Sequence, residues 1–194
     1  MTIKEAKTVI VGSTGVGKTC IAGRAFVANF DPKVPPEPTL GAQFCEGIFP
    51  IDDGGDQVKF QIWDTAGQEA YRSLAPIFFK NSVIAILVFD ITKAKTLQEL
   101  DYYSQILNEH EPNCFKAIVG NKIDLEDQRQ VSPEEGRNYA KKVGTDFYIE
   151  TSAFRNENIN ELFSSLAKQN LKFIVQDPVV VPIRNTSEPK KKCC

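Results

Sequence analysis

The octapeptide Gly12-Ser13-Thr14-Gly15-Val16-Gly17-Lys18-Thr19 restricts this chain more than any other feature. It has the spacing G-x-x-x-x-G-K-[ST], follows the β-branched apolar run Thr8–Gly12 and opens a helical pattern near Gly17. Strand, glycine-rich turn and helix N-terminus in that order gather backbone N–H donors into a ring, and glycine lets the chain close around phosphate oxygens where a Cβ would collide. Lys18 adds a point charge for the β- and γ-phosphates, and the Thr19 hydroxyl is a hard oxygen ligand suited to Mg²⁺. The residues expected at the phosphates are Thr14, Gly15, Val16, Gly17, Lys18, Thr19 and Cys20. Such a cradle implies binding of a nucleoside triphosphate and leaves the chemistry open.

A length of 194 residues with 42% hydrophobic and 25% charged residues predicts one domain with its own core. A net charge of -2 speaks against wholesale disorder and against a globally basic nucleic-acid binder. Cys20, Cys45 and Cys114 stand apart and share no CxxC spacing, and the single histidine, His110, sits in a polar run, so neither a disulfide scaffold nor a structural zinc is expected. Met1–Lys7 has no apolar core of signal length, and the longest apolar run, Val83–Phe89, is too short to span a bilayer. The chain therefore reads as cytosolic, or attached to a membrane from the cytosolic side.

Short β-branched runs alternate with stretches of helical period, which predicts an α/β fold. The strand candidates are Thr8–Gly12, Phe44–Ile51, Val58–Trp63, Val83–Phe89, Phe115–Gly120 and Asp146–Glu150. The turn cluster Asp52-Asp53-Gly54-Gly55-Asp56 joins the second and third as a hairpin, so one antiparallel edge strand should flank an otherwise parallel sheet. Capping boxes are expected at Thr96 with Glu99, Ser132 with Glu135 (Pro133 opening the helix), and Asn158 with Glu161. The last helix should bury Ile159, Leu162, Phe163, Leu166 and Phe173 on one face. Residues 1–176 then form the domain, and 177–194, punctuated by Pro178, Pro182 and Pro189, a flexible tail.

Asn121-Lys122-Ile123-Asp124 follows the fifth strand candidate, at the sheet edge where open α/β folds bind ligands. Guanine presents N1–H and N2–H₂ side by side, so the Asp124 carboxylate can accept both, whereas adenine would turn an acceptor toward the charge. Thr151-Ser152-Ala153 ends the next strand candidate and can offer a backbone N–H to guanine O6.

Together with Thr39-Leu40-Gly41-Ala42-Gln43-Phe44, Trp63-Asp64-Thr65-Ala66-Gly67-Gln68-Glu69, Leu74-Ala75-Pro76 and Cys193-Cys194, these motifs resemble the Ras-superfamily small GTPases, within them the Rab/Ypt branch. The triplet Leu74-Ala75-Pro76 is similar to that of the early-endosomal members. The resemblance implies a three-layer P-loop NTPase G domain: a six-stranded, mostly parallel sheet with one antiparallel edge strand and helices on both faces. It implies binding of GTP or GDP with Mg²⁺, slow GTP hydrolysis, and the role of a membrane-anchored switch that recruits effectors in vesicle trafficking. Gln68 would orient the attacking water and Lys18 stabilise the phosphates; Thr19, Thr39 and Asp64 would hold Mg²⁺; Gly67 would donate its N–H to the γ-phosphate. Phe30 would flank the guanine, Lys122 would lie along the nucleotide, and Asn121, Asp124, Ser152 and Ala153 would complete the base site. Thr39 and Gly67 belong to two segments, roughly residues 30–44 and 64–80, that loss of the γ-phosphate should release.

The implied partners are a GTPase-activating protein supplying an arginine in trans, an exchange factor, a GDP dissociation inhibitor, an escort protein and effectors. Phe44, Trp63 and Phe78 match aromatic positions used for effector contact, and sheet packing accounts for Trp63 and Phe44 as well. Cys193 and Cys194 would each carry a geranylgeranyl group behind Lys190, Lys191 and Lys192, placing the protein on the cytoplasmic face of intracellular membranes, endosomes by the triplet above. A GTP-binding module with little hydrolysis and a P-loop nucleotide kinase are the alternatives; the kinase leaves Asn121–Asp124 and the cysteine pair without a role.

Overall fold

The computed structural model describes residues 2–34, 36–51, 55–67 and 75–169. Six strands, β1 (Ile3–Val11), β2 (Ala42–Pro50), β3 (Gln57–Thr65), β4 (Ile84–Asp90), β5 (Phe115–Asn121) and β6 (Tyr148–Thr151), form one sheet in the order β2-β3-β1-β4-β5-β6. All neighbours run parallel except β2, which pairs antiparallel with β3 from Ala42 opposite Thr65 to Pro50 opposite Gln57. The expected antiparallel edge is therefore present; the turn residues 52–54 lie outside the described residues.

Period-2 alternation decides which helices cover which face. In β4, where every residue is buried, Ile84, Ile86 and Val88 join one apolar cluster and Ala85, Leu87 and Phe89 the other. The first cluster is closed by α1 (Lys18–Phe26) and α6 (Ile159–Ala167), with Phe26, Phe49, Phe60 and Phe163 in mutual ring contact at 4.7 to 6.5 Å. The second is closed by α2 (Ala75–Phe79), α4 (Leu100–His110) and α5 (Pro133–Lys142), while the short α3 (Ala94–Gln98) leads into α4. These are the three layers the sequence implied. In α6, Ile159, Leu162, Phe163 and Leu166 are buried as expected; Phe173 and the tail from residue 177 lie outside the described residues.

Two helix starts differ from the sequence reading. Thr96 caps nothing: it sits inside α3 behind Lys93, its hydroxyl donating to the Lys93 carbonyl at 2.7 Å and accepting from the Asp90 N–H at 3.0 Å. Asn158 does occupy the start of α6, but with φ 59°, and its amide donates to the Glu150 carbonyl at 2.8 Å instead of closing a box with Glu161. In both cases a nearby strand end offers a hydrogen bond that competes with the cap, the usual behaviour of these short polar side chains. The third box forms: Ser132 Oγ accepts from the Glu135 N–H at 3.2 Å and Glu135 accepts from the Ser132 N–H at 2.7 Å. Ser132→Ala is expected to cost about 1 kcal/mol, read as a lowered urea midpoint at unchanged slope; no shift would mean that the box contributes nothing.

The parallel strands all end at one edge, so the loops after β1, β3, β4, β5 and β6 converge there, and the antiparallel β2 begins there. That edge carries the site.

Candidate functional site

The turn after β1 is held open by glycine where nothing larger fits. Gly12, at φ 144°, packs so tightly on the Val88 carbonyl that a Cβ would overlap it, and Gly17, at φ 100°, is equally close to the Asn121 amide. Gly17 is also the N-cap of α1, and no side chain caps that helix, which leaves its first N–H groups available to an anion. Lys18 is 6% exposed, and its ammonium folds back over the turn, donating to the carbonyls of Gly12 (2.8 Å) and Ser13 (2.9 Å). Burial lowers the Lys18 pKa to about 8, against the pull of Asp64. A buried cation above a ring of N–H donors is an anion site.

Three hard oxygens meet beside it. Thr19 Oγ1 donates to Asp64 Oδ2 at 2.6 Å and lies 3.2 Å from Thr39 Oγ1, which is 3.4 Å from the same Oδ2. Asp64 is 2% exposed, and its other oxygen, Oδ1, is buried with no partner among the described residues. Burial raises its pKa although Thr19, Lys18 and Thr39 all work to lower it. Two hydroxyls and a carboxylate with a spare buried oxygen fit a small oxygen-seeking divalent cation such as Mg²⁺. Gly67, two residues past the end of β3, closes the arrangement: a Cβ there would stand 2.5 Å from the Thr14 nitrogen and 2.6 Å from Lys18 Nζ. A cleft of about 360 Å³ is lined by these turn residues with Pro36, Pro38, Thr39 and Lys122.

The loops after β5 and β6 meet on the far side of the same turn. Asn121 is the knot: its Nδ2 donates to the Val16 carbonyl at 2.9 Å, and its Oδ1 accepts from Thr151 Oγ1 (3.1 Å) and the Ala153 N–H (3.2 Å). It thereby ties the turn, β5 and β6 together, and acts on any ligand through the loops that it joins. Ser152, fully buried, donates its hydroxyl to Asp124 Oδ1 at 2.6 Å, which fixes one oxygen of that carboxylate. Lys122 takes the left-handed backbone conformation, φ 75° and ψ 37°, a strain of about 1 kcal/mol for a side chain with a Cβ.

Asp90 is a residue the sequence reading missed. It is 1% exposed and receives Lys122 Nζ at 2.7 Å together with the N–H and hydroxyl of Thr92. Burial opposes its charge, but Lys122 and Thr92 outweigh that and hold its pKa below the usual carboxylate range. This pair draws the lysine stem across the mouth of the site. The available signal was an acidic residue closing an otherwise apolar strand. Ser13 and Glu99 form a further unanticipated contact, the hydroxyl donating to the carboxylate, while the Tyr103 hydroxyl reaches the Gly12 carbonyl at 3.3 Å.

Phe30 packs on Gly23 and under the Arg24 guanidinium, whose carbon lies 5.5 Å from the ring centre. Trp63 is flanked by Phe44 at 5.5 Å and Phe78 at 6.3 Å, with Lys7 Nζ 5.3 Å over its ring. Phe44 is 53% exposed and the neighbouring Ile77 67%, while Trp63 and Phe78 are partly buried against the second apolar cluster, so the trio packs on the core with one side open to solvent. Gln68, Cys193 and Cys194 lie outside the described residues. A larger hollow of about 960 Å³ opens at the opposite pole between Val83, Cys114, Phe147 and Gln169, away from the glycine turn.

Comparison with known proteins agrees with this geometry. The family model described as Ras family matches residues 7–172. Rab-22A of Homo sapiens is 39% identical along an alignment covering 100% of both chains. Rab-31 of Homo sapiens is 42% identical over 87% of this chain and 85% of its own length, and Rab5 of Nicotiana tabacum 41% over 85% and 80%.

Proposed function

The chain belongs to the Ras family, as a Rab-type GTP hydrolase that binds GTP or GDP with Mg²⁺, and on that premise we propose which of its residues do the work. The single observation that supports the assignment best is the convergence of Lys18, Thr19, Thr39 and Asp64 on one side of the glycine turn, with the Asp124 and Ala153 loops on the other. The phosphates lie in the turn, against Lys18 and the free N–H groups that open α1. Thr19, Thr39 and Asp64 would hold the magnesium ion, which when bound would supply positive charge beside the phosphates. Asp124 accepts the guanine N1–H and N2–H₂, and the Ala153 N–H, now on Asn121, is shared with O6. Phe30 and the Lys122 stem cover the base from two sides.

In hydrolysis the protein contributes positioning and charge. Gln68 places a water in line with the γ-phosphate, while Lys18 and the backbone N–H groups neutralise the charge that spreads onto the leaving oxygens. No arginine is assigned to that task from within the chain, so turnover is slow until an activating protein supplies one, a gain of about 10³ to 10⁵. Thr39 and Gly67 each reach the γ-phosphate end of the cleft from a different loop, and losing that phosphate removes the shared contact that holds them together. The Phe44, Trp63 and Phe78 cluster lies between those loops and is the surface effectors read.

No described helix is long and apolar enough to cross a membrane. Attachment through geranylgeranyl groups on Cys193 and Cys194, assisted by Lys190–Lys192, is part of the proposal, as is residence on endosomes; two lipids anchor stably where one binds marginally. Single-turnover GTP hydrolysis tests the catalytic assignment. The unsubstituted protein should cleave slowly, and Gln68→Leu should bind GTP equally well yet cleave about tenfold slower or worse. Equal rates would remove Gln68 from the mechanism, and no cleavage with or without activating proteins would remove the assignment altogether.

A further inference from the structure

We propose that Arg24 is a positioning residue for guanine recognition: it fixes the loop after β6 to helix α1 so that the Ala153 N–H stands at the height of the base oxygen O6. The proposal rests on the reading of Ala153 given above and adds to it the part that sets its distance from the phosphates.

Arg24 lies in the last turn of α1, half-buried, on the same nine-residue helix that begins with Lys18 and Thr19. Its Nε donates to the Ala153 carbonyl at 2.8 Å and its Nη2 to the Phe154 carbonyl at 2.8 Å. One planar cation bonded to two successive carbonyls leaves the segment little freedom to rotate, which a single ammonium could not achieve. On its other side the loop is held from β5, by Asn121 on the Ala153 N–H and by Asp124 on Ser152. The loop also closes on itself, through the paired backbone bonds of Ser152 with Glu157 and the Arg155 N–H on Ser152 Oγ, but of these contacts Arg24 alone comes from α1.

The same guanidinium faces the ring of Phe30, which sits on Gly23 so closely that a Cβ at Gly23 would overlap it. Two pieces of the proposed base site, Phe30 and the loop after β6, thus bear on the last turn of α1. Because the helix is rigid, with a rise of about 1.5 Å per residue, it acts as a spacer between phosphate contacts at one end and the base loop at the other. The carbonyls of Ala153 and Phe154 are used by Arg24, and the Ala153 N–H rests at 3.2 Å on Asn121 Oδ1, a long bond that it can share with the base oxygen.

The test pairs a substitution in the protein with one in the nucleotide. 6-Thio-GDP keeps N1–H and N2–H₂ for Asp124 but replaces O6 with sulfur, a weaker acceptor. Dissociation constants for GDP and 6-thio-GDP are measured by competition on the full chain, its Arg24→Ala form and its Arg24→Lys form, with melting temperatures alongside. The unsubstituted protein should prefer GDP. Arg24→Ala should bind GDP about tenfold more weakly and should lose most of the preference for oxygen over sulfur, with Arg24→Lys in between. A change in stability alone would weaken both nucleotides equally and leave the ratio intact, so an unchanged ratio in both variants overturns the proposal. If Arg24→Ala does not fold, the ratio in Arg24→Lys decides in the same way. No preference in the unsubstituted protein would overturn the Ala153 reading itself, and the role of Arg24 with it.

Discussion

With asparagine in place of Asp124, the protein is expected to lose guanine nucleotides by about 10³-fold or more and to accept xanthine nucleotides in their place. The carboxylate is an acceptor on both oxygens and faces two donors of guanine. Asparagine keeps one acceptor and turns an NH₂ toward the guanine N2–H₂, so two donors meet and neither is satisfied, in a site where unpaired polar groups are costly. Xanthine carries a carbonyl at that position and restores the pairing. The substitution should be tolerated by the fold, because Ser152 Oγ donates to Asp124 Oδ1 at 2.6 Å and the asparagine retains that oxygen. Competition between GDP and XDP for both proteins decides it. A preference that stayed with guanine would mean that Asp124 does not read the base edge.

Lys18→Ala is the second large effect. The ammonium is buried on the turn carbonyls of Gly12 and Ser13, and in the proposed site it faces the phosphates, so removing it takes a donor from both carbonyls and leaves the anion without its nearest cation. Losing two charge-assisted bonds of this kind is expected to weaken GDP by about 10² to 10³-fold. A pH signature accompanies it. In the free protein burial holds the Lys18 pKa at about 8, and the phosphates favour its charged form. Binding above that pH therefore takes up a proton, and affinity should be level below about pH 8 and fall as pH rises beyond it. The decline should vanish in Lys18→Ala. If the variant kept both the affinity and the slope, the lysine would not face the phosphates.

Much of the site was legible from residue order because each motif is a local device. A glycine turn between strand and helix makes its own donor ring, and a carboxylate at a strand end can be matched to a base by its acceptors alone. Thr96 and Asn158 show where local reasoning stops. Both have the composition of a cap, and both are claimed by a strand end that only folding brings near. Asp90 and Arg24 went unread for the same reason. An aspartate closing β4 and an arginine late in α1 have no partner in their own neighbourhoods; Lys122 stands 32 residues beyond one, and the Ala153 carbonyl 129 beyond the other. Trp63 carried two readings, core and surface, that alternation in β3 could not separate; the structure keeps both, with Trp63 partly buried on the second apolar cluster and Phe44, half exposed on the edge strand β2, beside it.

By itself, then, the order of residues determined the α/β class, the antiparallel edge and the glycine turn, and it supplied the proposed chemistry of the base reader, since all follow from side-chain period and from groups a few residues apart. Tertiary structure alone decided how those parts are spaced. Asn121 bonding the Val16 carbonyl, Asp64 between two threonines, Lys122 on Asp90 and Arg24 on the loop after β6 each join segments far apart in the chain. Hydrogen bonds and ion pairs act over about 3 Å, so no pattern along a chain reports which distant groups folding will bring within that reach.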